Sequence, residues 1–288
     1  MSTRVEQTIA PQRTISRVVR GMPATDGAGV ELTRVIGQPT LSMLDPFLLL
    51  DAFRSDSPDD YIAGFPPHPH RGFETVTYLL AGRMRHRDNA GHEGVIEPGG
   101  VQWMTAARGI VHSEMPEQQQ GLLEGFQLWV NLPAAHKMDP PGYQEYPADE
   151  IPLELRESGQ EIRVIAGQTS HGTRGPISQP LTEPLYLDVT LPADALFEEV
   201  VPERHNAFAY VVAGTLVIDG EDTRLQRDDL AILSHGERVS LRAGPEGGRL
   251  LLVAGRPLNE PVVRGGPFVM NSAAEIRQAQ EDYVAGRF

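Results

Sequence analysis

The sequence has 288 residues and contains no cysteine. This absence excludes disulfide bonds and thiolate metal ligands. Any bound metal ion must therefore be held by nitrogen and oxygen donors, which argues against the cysteine-rich type of structural zinc site.

Positive charge and long apolar runs are also scarce. The 25 Lys and Arg residues face 39 Asp and Glu, and the formal net charge of −14 disfavours contact with nucleic-acid phosphates. No apolar run is long enough to cross a membrane, and Met1–Glu6 lacks the apolar core of a secretion signal. We therefore expect a cytoplasmic protein that binds neither nucleic acid nor membranes directly.

What the sequence does contain is a succession of short strand signals. Thr75–Leu80, Val101–Met104 and Phe126–Leu132 are rich in the residue types of strands, and glycine and proline separate such segments. Helical periodicity is absent from this part of the chain. The pattern predicts an all-β barrel or sandwich.

The C-terminal segment has a different pattern. Ser272 and Glu275 stand at the spacing of a helix capping box, and Ile276 and Ala279 then fall on one helical face. The sequence therefore predicts a C-terminal helix that packs on one of the barrels in a structural role.

The two halves of the chain share a motif. Tyr78–Gly82 is matched by Tyr210–Gly214, and in both halves a strand, a Gly/Asp turn and a further strand follow. Pro133–Pro152 is rich in proline, glycine and acidic residues, which is typical of a connector between domains. We predict two copies of one antiparallel barrel, formed by residues 1–145 and 146–288, with the helix at the end of the second.

One stretch of the first copy carries two pairs of metal-ligand residue types. His68 and His70 are two residues apart, and so are His112 and Glu114. Residues two apart on a strand point to the same face, so two adjacent strands could direct four donor atoms at one point. Such a set suits one divalent ion of iron, zinc, copper, manganese or nickel, with open positions for water, dioxygen or substrate.

Glu74 is a second candidate for the carboxylate. It follows His70 by four residues and would share the face of both histidines of that pair on a continuous strand. It could replace Glu114 as a ligand, join it as a fifth ligand, support a ligand, or act as a catalytic base beside a metal-bound substrate.

The second copy lacks this pattern. Counted from the shared tyrosine, Val200 and Pro202 occupy the positions of the first histidine pair, and Asn206 occupies that of the glutamate. His205 and His235 are isolated, and neither has a second histidine two residues away as His68 and His70 do. We therefore expect no metal ligands in the C-terminal barrel.

Several segments, spread in order over nearly the whole chain, resemble the pirins, a branch of the cupin superfamily. These segments are Asp45–Phe47, Phe65–Tyr78, Gln102–Ala106, Arg108–Pro116, His205–Phe208 and Gly266–Asn271. The resemblance implies an all-β bicupin of two antiparallel, jelly-roll-like barrels, with one mononuclear site, usually for iron, in the N-terminal barrel. By motif, the ligands implied are His68, His70, His112 and Glu114, with Glu74 near the site but not ligating.

The resemblance implies two classes of function. Some pirins are quercetinases, which open the ring of a flavonol with dioxygen, and others resemble redox-sensitive regulators that act through protein partners. We expect an iron(II)-dependent dioxygenase with a flavonol-like substrate, in which Glu74 is the candidate base. The alternatives are a non-enzymatic regulator and a scaffold whose metal serves folding alone.

Overall fold

The computed structural model describes residues 11–288, and β-strands make up most of its regular structure. The all-β prediction is confirmed, and so is the C-terminal helix, which begins after the N-cap Ser272. Residues 1–10, which include Met1–Glu6, where the sequence predicts no secretion signal, lie outside the described residues. From residue 11 onward, no helix has the length and apolarity needed to cross a membrane.

The strands are numbered here in chain order. Those of the first half of the chain are β1 (Ile15–Arg20), β2 (Met22–Asp26), β3 (Val30–Ile36), β4 (Phe47–Ser55), β5 (Phe65–His70), β6 (Phe73–Ala81), β7 (Met84–Asp88), β8 (Glu93–Ile96), β9 (Val101–Thr105), β10 (Ile110–Pro116), β11 (Leu123–Asn131) and β12 (Gly142–Tyr146). Two single-turn 3-10 helices, Pro58–Asp60 and Ala134–His136, lie between them.

The second half continues the strands and ends with the helix. Its elements are β13 (Leu153–Leu155), β14 (Glu161–Ala166), β15 (Leu185–Leu191), β16 (Leu196–Val200), β17 (Asn206–Ile218), β18 (Arg224–Gln226), β19 (Asp229–Leu233), β20 (Arg238–Gly255), β21 (Val263–Gly265), β22 (Phe268–Met270) and α1 (Ala273–Val284).

The first half is built from two antiparallel sheets. One has the strand order β12-β9-β6-β11-β4-β3-β2, and the other has the order β5-β10-β7-β8. The second half has a nine-stranded sheet in which β17 and β20 are central. The sheets form jelly-roll-like halves and do not close into full barrels, which corrects that detail of the predicted architecture.

The two halves meet through the outer face of the seven-stranded sheet. Alternate residues of β6 and β9, such as Tyr78 and Trp103, are buried in one hydrophobic cluster with Tyr186 and Phe208 of the second half. The Tyr78 hydroxyl donates a hydrogen bond to Asp188 at 2.6 Å. Because side chains alternate along a strand, the intervening residues of β6 and β9 point into the first half instead.

The interiors of the two halves differ in chemistry. Large apolar side chains fill the second half, among them Val189, Phe197 and Leu250. The first half instead buries histidines, with His70, His86 and His112 each about 2% exposed. A candidate site must therefore be sought inside the first half.

The segments near the predicted domain boundary and at the chain ends have unexpected partners. β12 lies within the predicted connector Pro133–Pro152, yet it pairs with β9, so this part of the connector prediction is wrong. It is an edge strand, where nearby proline and glycine are tolerated.

Segments near the two ends of the chain pair with the opposite half. β1 pairs with β19 of the second half, and Phe268 of β22 forms a bridge with Arg71 of the first half. The boundary at residues 145 and 146 stays a prediction.

Candidate metal centre

Three histidines converge inside the first half. β5 and β10 are antiparallel neighbours, and His68 lies directly opposite His112 in their register. His70 lies on the same face of β5, as the spacing predicted. Each of the three rings offers a nitrogen within 4.8 Å of the nitrogens of the other two, and the ring centroids are 4.5–5.0 Å apart.

Backbone carbonyls orient two of these rings. Nδ1 of His68 lies 2.8 Å from the Pro66 carbonyl oxygen, and Nδ1 of His70 lies 3.4 Å from that of Pro267. Each Nδ1 therefore carries the proton it donates, which leaves Nε2 of both rings with a free lone pair.

The two Nε2 atoms, of His68 and His70, are only 2.9 Å apart. Two lone pairs at this distance repel each other unless a cation or proton lies between them. Nitrogen ligands about 2.1 Å from an ion and at right angles lie about 3 Å apart, which matches this separation.

His112 supplies a second argument for a cation. Among the described residues, neither of its buried ring nitrogens has a hydrogen-bond partner. Burial lowers the pKa of His70 and of His112 well below the ordinary 6.5, and neighbouring histidines lower both further. The rings are therefore neutral at neutral pH, the form that binds metal without first losing a proton.

Glu114 lies on the same buried face of β10 as His112. Its Oε1 accepts a hydrogen bond from the Thr77 hydroxyl at 2.8 Å, and its Oε2 accepts one from Gln127 Nε2 at 2.6 Å. Glu114 is outside the tight cluster of three imidazoles, but each oxygen keeps a further lone pair. The chemistry of this donor set fits a divalent metal ion.

Glu74 does not share the face of the histidines, and the expectation that it would is wrong. β5 ends at His70 and β6 begins at Phe73, and the break contains Gly72 with φ of 91°. A Cβ on Gly72 would lie 2.0 Å from the Val269 carbonyl oxygen, so only glycine fits there.

Beyond this break, Glu74 points toward the core between the two halves. Its Oε1 accepts hydrogen bonds from Thr105 Oγ1 and from Gln179 Nε2, both at 2.6 Å, and Gln179 belongs to the second half. Burial raises the pKa of Glu74 to about 7, although the hydrogen bonds oppose the shift. Thr77, which contacts Glu114, is three residues along β6 and therefore faces the opposite way.

A cavity of about 620 Å³ opens onto the histidine cluster. His68 and His70 form part of its wall, and the Gln127 and Trp129 side chains of β11 form another part. Trp129 Nε1 donates to Gln127 Oε1 at 3.3 Å, and Gln127 donates to Glu114, so these side chains form a chain that ends at the carboxylate.

Sequence reasoning missed Gln127, Trp129 and Arg34, which also lines the cavity. In β11 the sequence alternates, since Gln127 and Trp129 stand between the apolar Phe126, Leu128 and Val130. This alternation predicts that Gln127 and Trp129 share the strand face opposite the apolar residues, but it does not predict which residues that face contacts.

The second half offers no comparable cluster among the described residues. Asn206, at the position of Glu74, donates to the Asp45 carbonyl oxygen at 2.5 Å. His205 is buried, with Glu183 3.7 Å away, and His235 is exposed. The two isolated histidines therefore take part in ordinary contacts, as expected.

Comparison with known proteins places this arrangement in a family. The family model described as "Pirin" matches residues 29–130, and that described as "Pirin C-terminal cupin domain" matches residues 186–288. A pirin-like protein from Caulobacter vibrioides is 52% identical over 278 residues, which cover 96% of this chain and all of the relative.

Solved structures agree with this placement. A quercetin 2,3-dioxygenase from Acinetobacter baumannii superimposes with a TM-score of 0.89 at 36% identity, covering 96% of this chain and 99% of its own. A bacterial pirin from Escherichia coli in complex with nickel(II) has a TM-score of 0.66 at 18% identity, covering 84% and 98%, and supports the fold alone. The chain therefore belongs to the pirin family and has its bicupin fold.

Proposed function

We propose that this protein is a metal-dependent dioxygenase of the quercetinase type, which opens the ring of a flavonol with dioxygen. The observation that carries the proposal is the convergence of three imidazoles, two of which, His68 and His70, line a cavity of about 620 Å³. The similarity to the Acinetobacter quercetin 2,3-dioxygenase supports the choice of reaction.

The proposed ligands are His68, His70, His112 and Glu114. Iron(II) is favoured over zinc, manganese, copper and nickel, because a nitrogen-rich set with one carboxylate and open positions is typical of iron oxygenases. Bound iron would supply Lewis acidity toward the adjacent oxygens of a flavonol and a redox partner for dioxygen.

The side chains around the centre have separate tasks in this proposal. The Gln127 amide holds the Glu114 carboxylate in place, and the carbonyls of Pro66 and Pro267 hold the two imidazoles of β5. Trp129 offers aromatic surface to a planar ring system, since it lines the cavity and packs against Phe73 at 4.3 Å between ring centroids.

The cavity has a suitable size and polarity for such a substrate. Its volume lies within the range of about 300–1,000 Å³ that is usual for small-molecule sites. Apolar Leu49 and Phe65 line it together with the ion pair of Arg34 and Asp51, whose Nη2 and Oδ2 atoms are 2.7 Å apart. A flavonol presents the same combination of a flat apolar body and polar edges.

The test is to purify the protein anaerobically, measure its bound metals, and follow dioxygen consumption with quercetin. We expect near-stoichiometric iron, with turnover that vanishes on chelation and returns with iron(II). His112→Ala should abolish turnover, whereas His235→Ala, which removes an exposed histidine of the second half, should not change it.

The outcomes separate the proposed function from its alternatives. Iron that binds without any dioxygen uptake would contradict the dioxygenase and favour a regulator that acts through protein partners. A protein that binds no metal at all would contradict both, because each depends on the same centre.

A further inference from the structure

A second cluster of ligand-type side chains lies in the first half, apart from the three histidines of the proposed iron centre. It contains His86 of β7, His92 of the following turn and Glu145 of β12, each of which offers a donor atom within 4.8 Å of the others. His86 Nε2 lies 2.6 Å from Glu145 Oε1, and His92 Nε2 lies 3.1 Å from Glu145 Oε2. We propose that these three residues form a second metal site.

The cluster is held in place by its surroundings. The Tyr143 ring stacks on the His92 ring at 4.3 Å between centroids, and its hydroxyl donates to Asp88 Oδ2 at 3.0 Å. The other oxygen of Asp88 accepts hydrogen bonds from the backbone N–H groups of Ala90 and His92, both at 2.8 Å. The turn that carries His92 is therefore fixed against β12.

Space for an ion is provided by Gly94. This residue lies directly opposite His86 in the register of β7 and β8. A Cβ at position 94 would lie 2.5 Å from His86 Nε2 and 3.4 Å from Glu145 Oε2, so any other residue would enter the space between the ligands. Gly94 lines a cavity of about 300 Å³ together with two of the proposed ligands, His86 and Glu145.

The ligand set and its exposure indicate the kind of ion. Two histidines and one glutamate form a three-residue set that zinc(II) binds in catalytic sites, with the remaining position left to water or substrate. The His86 side chain is 2% exposed, whereas those of His92 and Glu145 are 40% and 29% exposed. Because one ligand is buried and two are accessible, a hydrated divalent ion could reach the site from solution. We assign this ion as zinc(II).

This site differs from the proposed iron centre in its residues, although His86 lies on the same β5-β10-β7-β8 sheet as the proposed iron ligands. His86 is directly opposite Glu114 in the register of β7 and β10, but its imidazole contacts the Glu145 carboxylate of β12 rather than the proposed iron ligands. Gln102 of β9 donates a further hydrogen bond to Glu145 from inside the half. The second site therefore does not depend on the proposed dioxygenase activity.

The experiment counts zinc(II) bound per chain after chelation, by calorimetric titration with zinc(II) alone. We expect two equivalents for the wild type, one for His112→Ala, one for His92→Ala and none for the double variant. His171→Ala, which removes an exposed histidine outside both clusters, should retain two equivalents. Circular dichroism checks that each variant is folded.

A further variant tests the space rather than the ligands. Gly94→Ala, made in the His112→Ala background, keeps all three ligands and should weaken the remaining zinc(II) affinity at least about tenfold. The second site would be disproved if His112→Ala bound no zinc(II). It would also be disproved if the double variant with His112→Ala and His92→Ala still bound one equivalent. The cluster would then be a network of hydrogen bonds among three side chains, and the dioxygen assay would still decide the proposed function by itself.

Discussion

The guanidinium of Arg71 lies 2.6 Å from the carboxylate of Asp282, which joins the loop after His70 to the C-terminal helix. Arg71 is 3% exposed and also donates to the Arg108 carbonyl oxygen at 2.5 Å. Its guanidinium carbon lies 4.2 Å from the centroid of the Phe288 ring. The predicted structural helix therefore packs on the first half and supports the segment that carries a proposed metal ligand.

Asp282→Ala should lower Tm and weaken metal binding about tenfold, because it leaves the buried Arg71 without its carboxylate. Thermal unfolding with and without metal measures the first effect, and competition with a chelator measures the second. Arg287→Ala is the control, since it removes an exposed partner of the same carboxylate and should have little effect. Equal effects of both variants would contradict this role of Arg71.

Gln127→Leu should reduce turnover and metal affinity by about 10- to 100-fold, because Glu114 loses the amide that orients one of its oxygens. Thr77→Val removes the donor to the other oxygen at nearly constant volume and should act in the same direction. Steady-state dioxygen uptake and metal content check both variants. Full activity in Gln127→Leu would show that this hydrogen bond does not matter.

Glu74 should make the unfolding free energy depend on pH. Its pKa is about 7 in the folded protein against an ordinary 4.5, so below about pH 4.5 the side chain is protonated in both the folded and the unfolded state, and the protein keeps its full stability. As the pH rises to about 7, the unfolded state loses the proton more readily than the folded state, which lowers the unfolding free energy by about 3 kcal/mol. Glu74→Gln should remove this dependence, as urea unfolding at several pH values would show.

The same variant tests the predicted role of Glu74 as a catalytic base. Because the side chain faces the core between the halves, Glu74→Gln should retain turnover within about threefold of the wild type. A loss of about 100-fold or more in a folded variant would restore Glu74 as a candidate base.

Lys137 is the single lysine of the sequence, and it is 1% exposed. Its ammonium donates to the carbonyl oxygens of Gly72 and Val269, at 2.5 and 3.0 Å, and to Asn131 Oδ1 at 2.6 Å. Burial lowers its pKa to about 8. It therefore ties the loop after His70 to β22 and to the end of β11.

Lys137→Met should lower the unfolding free energy by about 3 kcal/mol, because three buried acceptors lose their donor. Chemical denaturation measures this loss, with His136→Ala at the exposed neighbouring position as control. In the wild type, acetylation at pH 8 followed by mass spectrometry should leave Lys137 unmodified until the protein is unfolded. Ready acetylation of the folded protein would contradict its burial.

The sequence by itself determined the features that depend on local periodicity. The two-residue spacing of His68/His70 and of His112/Glu114 places each pair on one face of its strand, because strand side chains alternate wherever the strand lies. The capping pattern at Ser272 and Glu275 likewise specified the final helix, and the Ser272 hydroxyl accepts a hydrogen bond from the Glu275 N–H.

The tertiary structure decided which of these local faces meet. A single break at Gly72 reverses the direction of Glu74, and no periodicity counted through that break could reveal it. Gln127, Trp129 and the cluster of His86, His92 and Glu145 come together only because distant strands pair in one register. Strand alternation is a property of the local backbone, whereas the choice of neighbouring strand depends on burying the apolar faces of the whole chain.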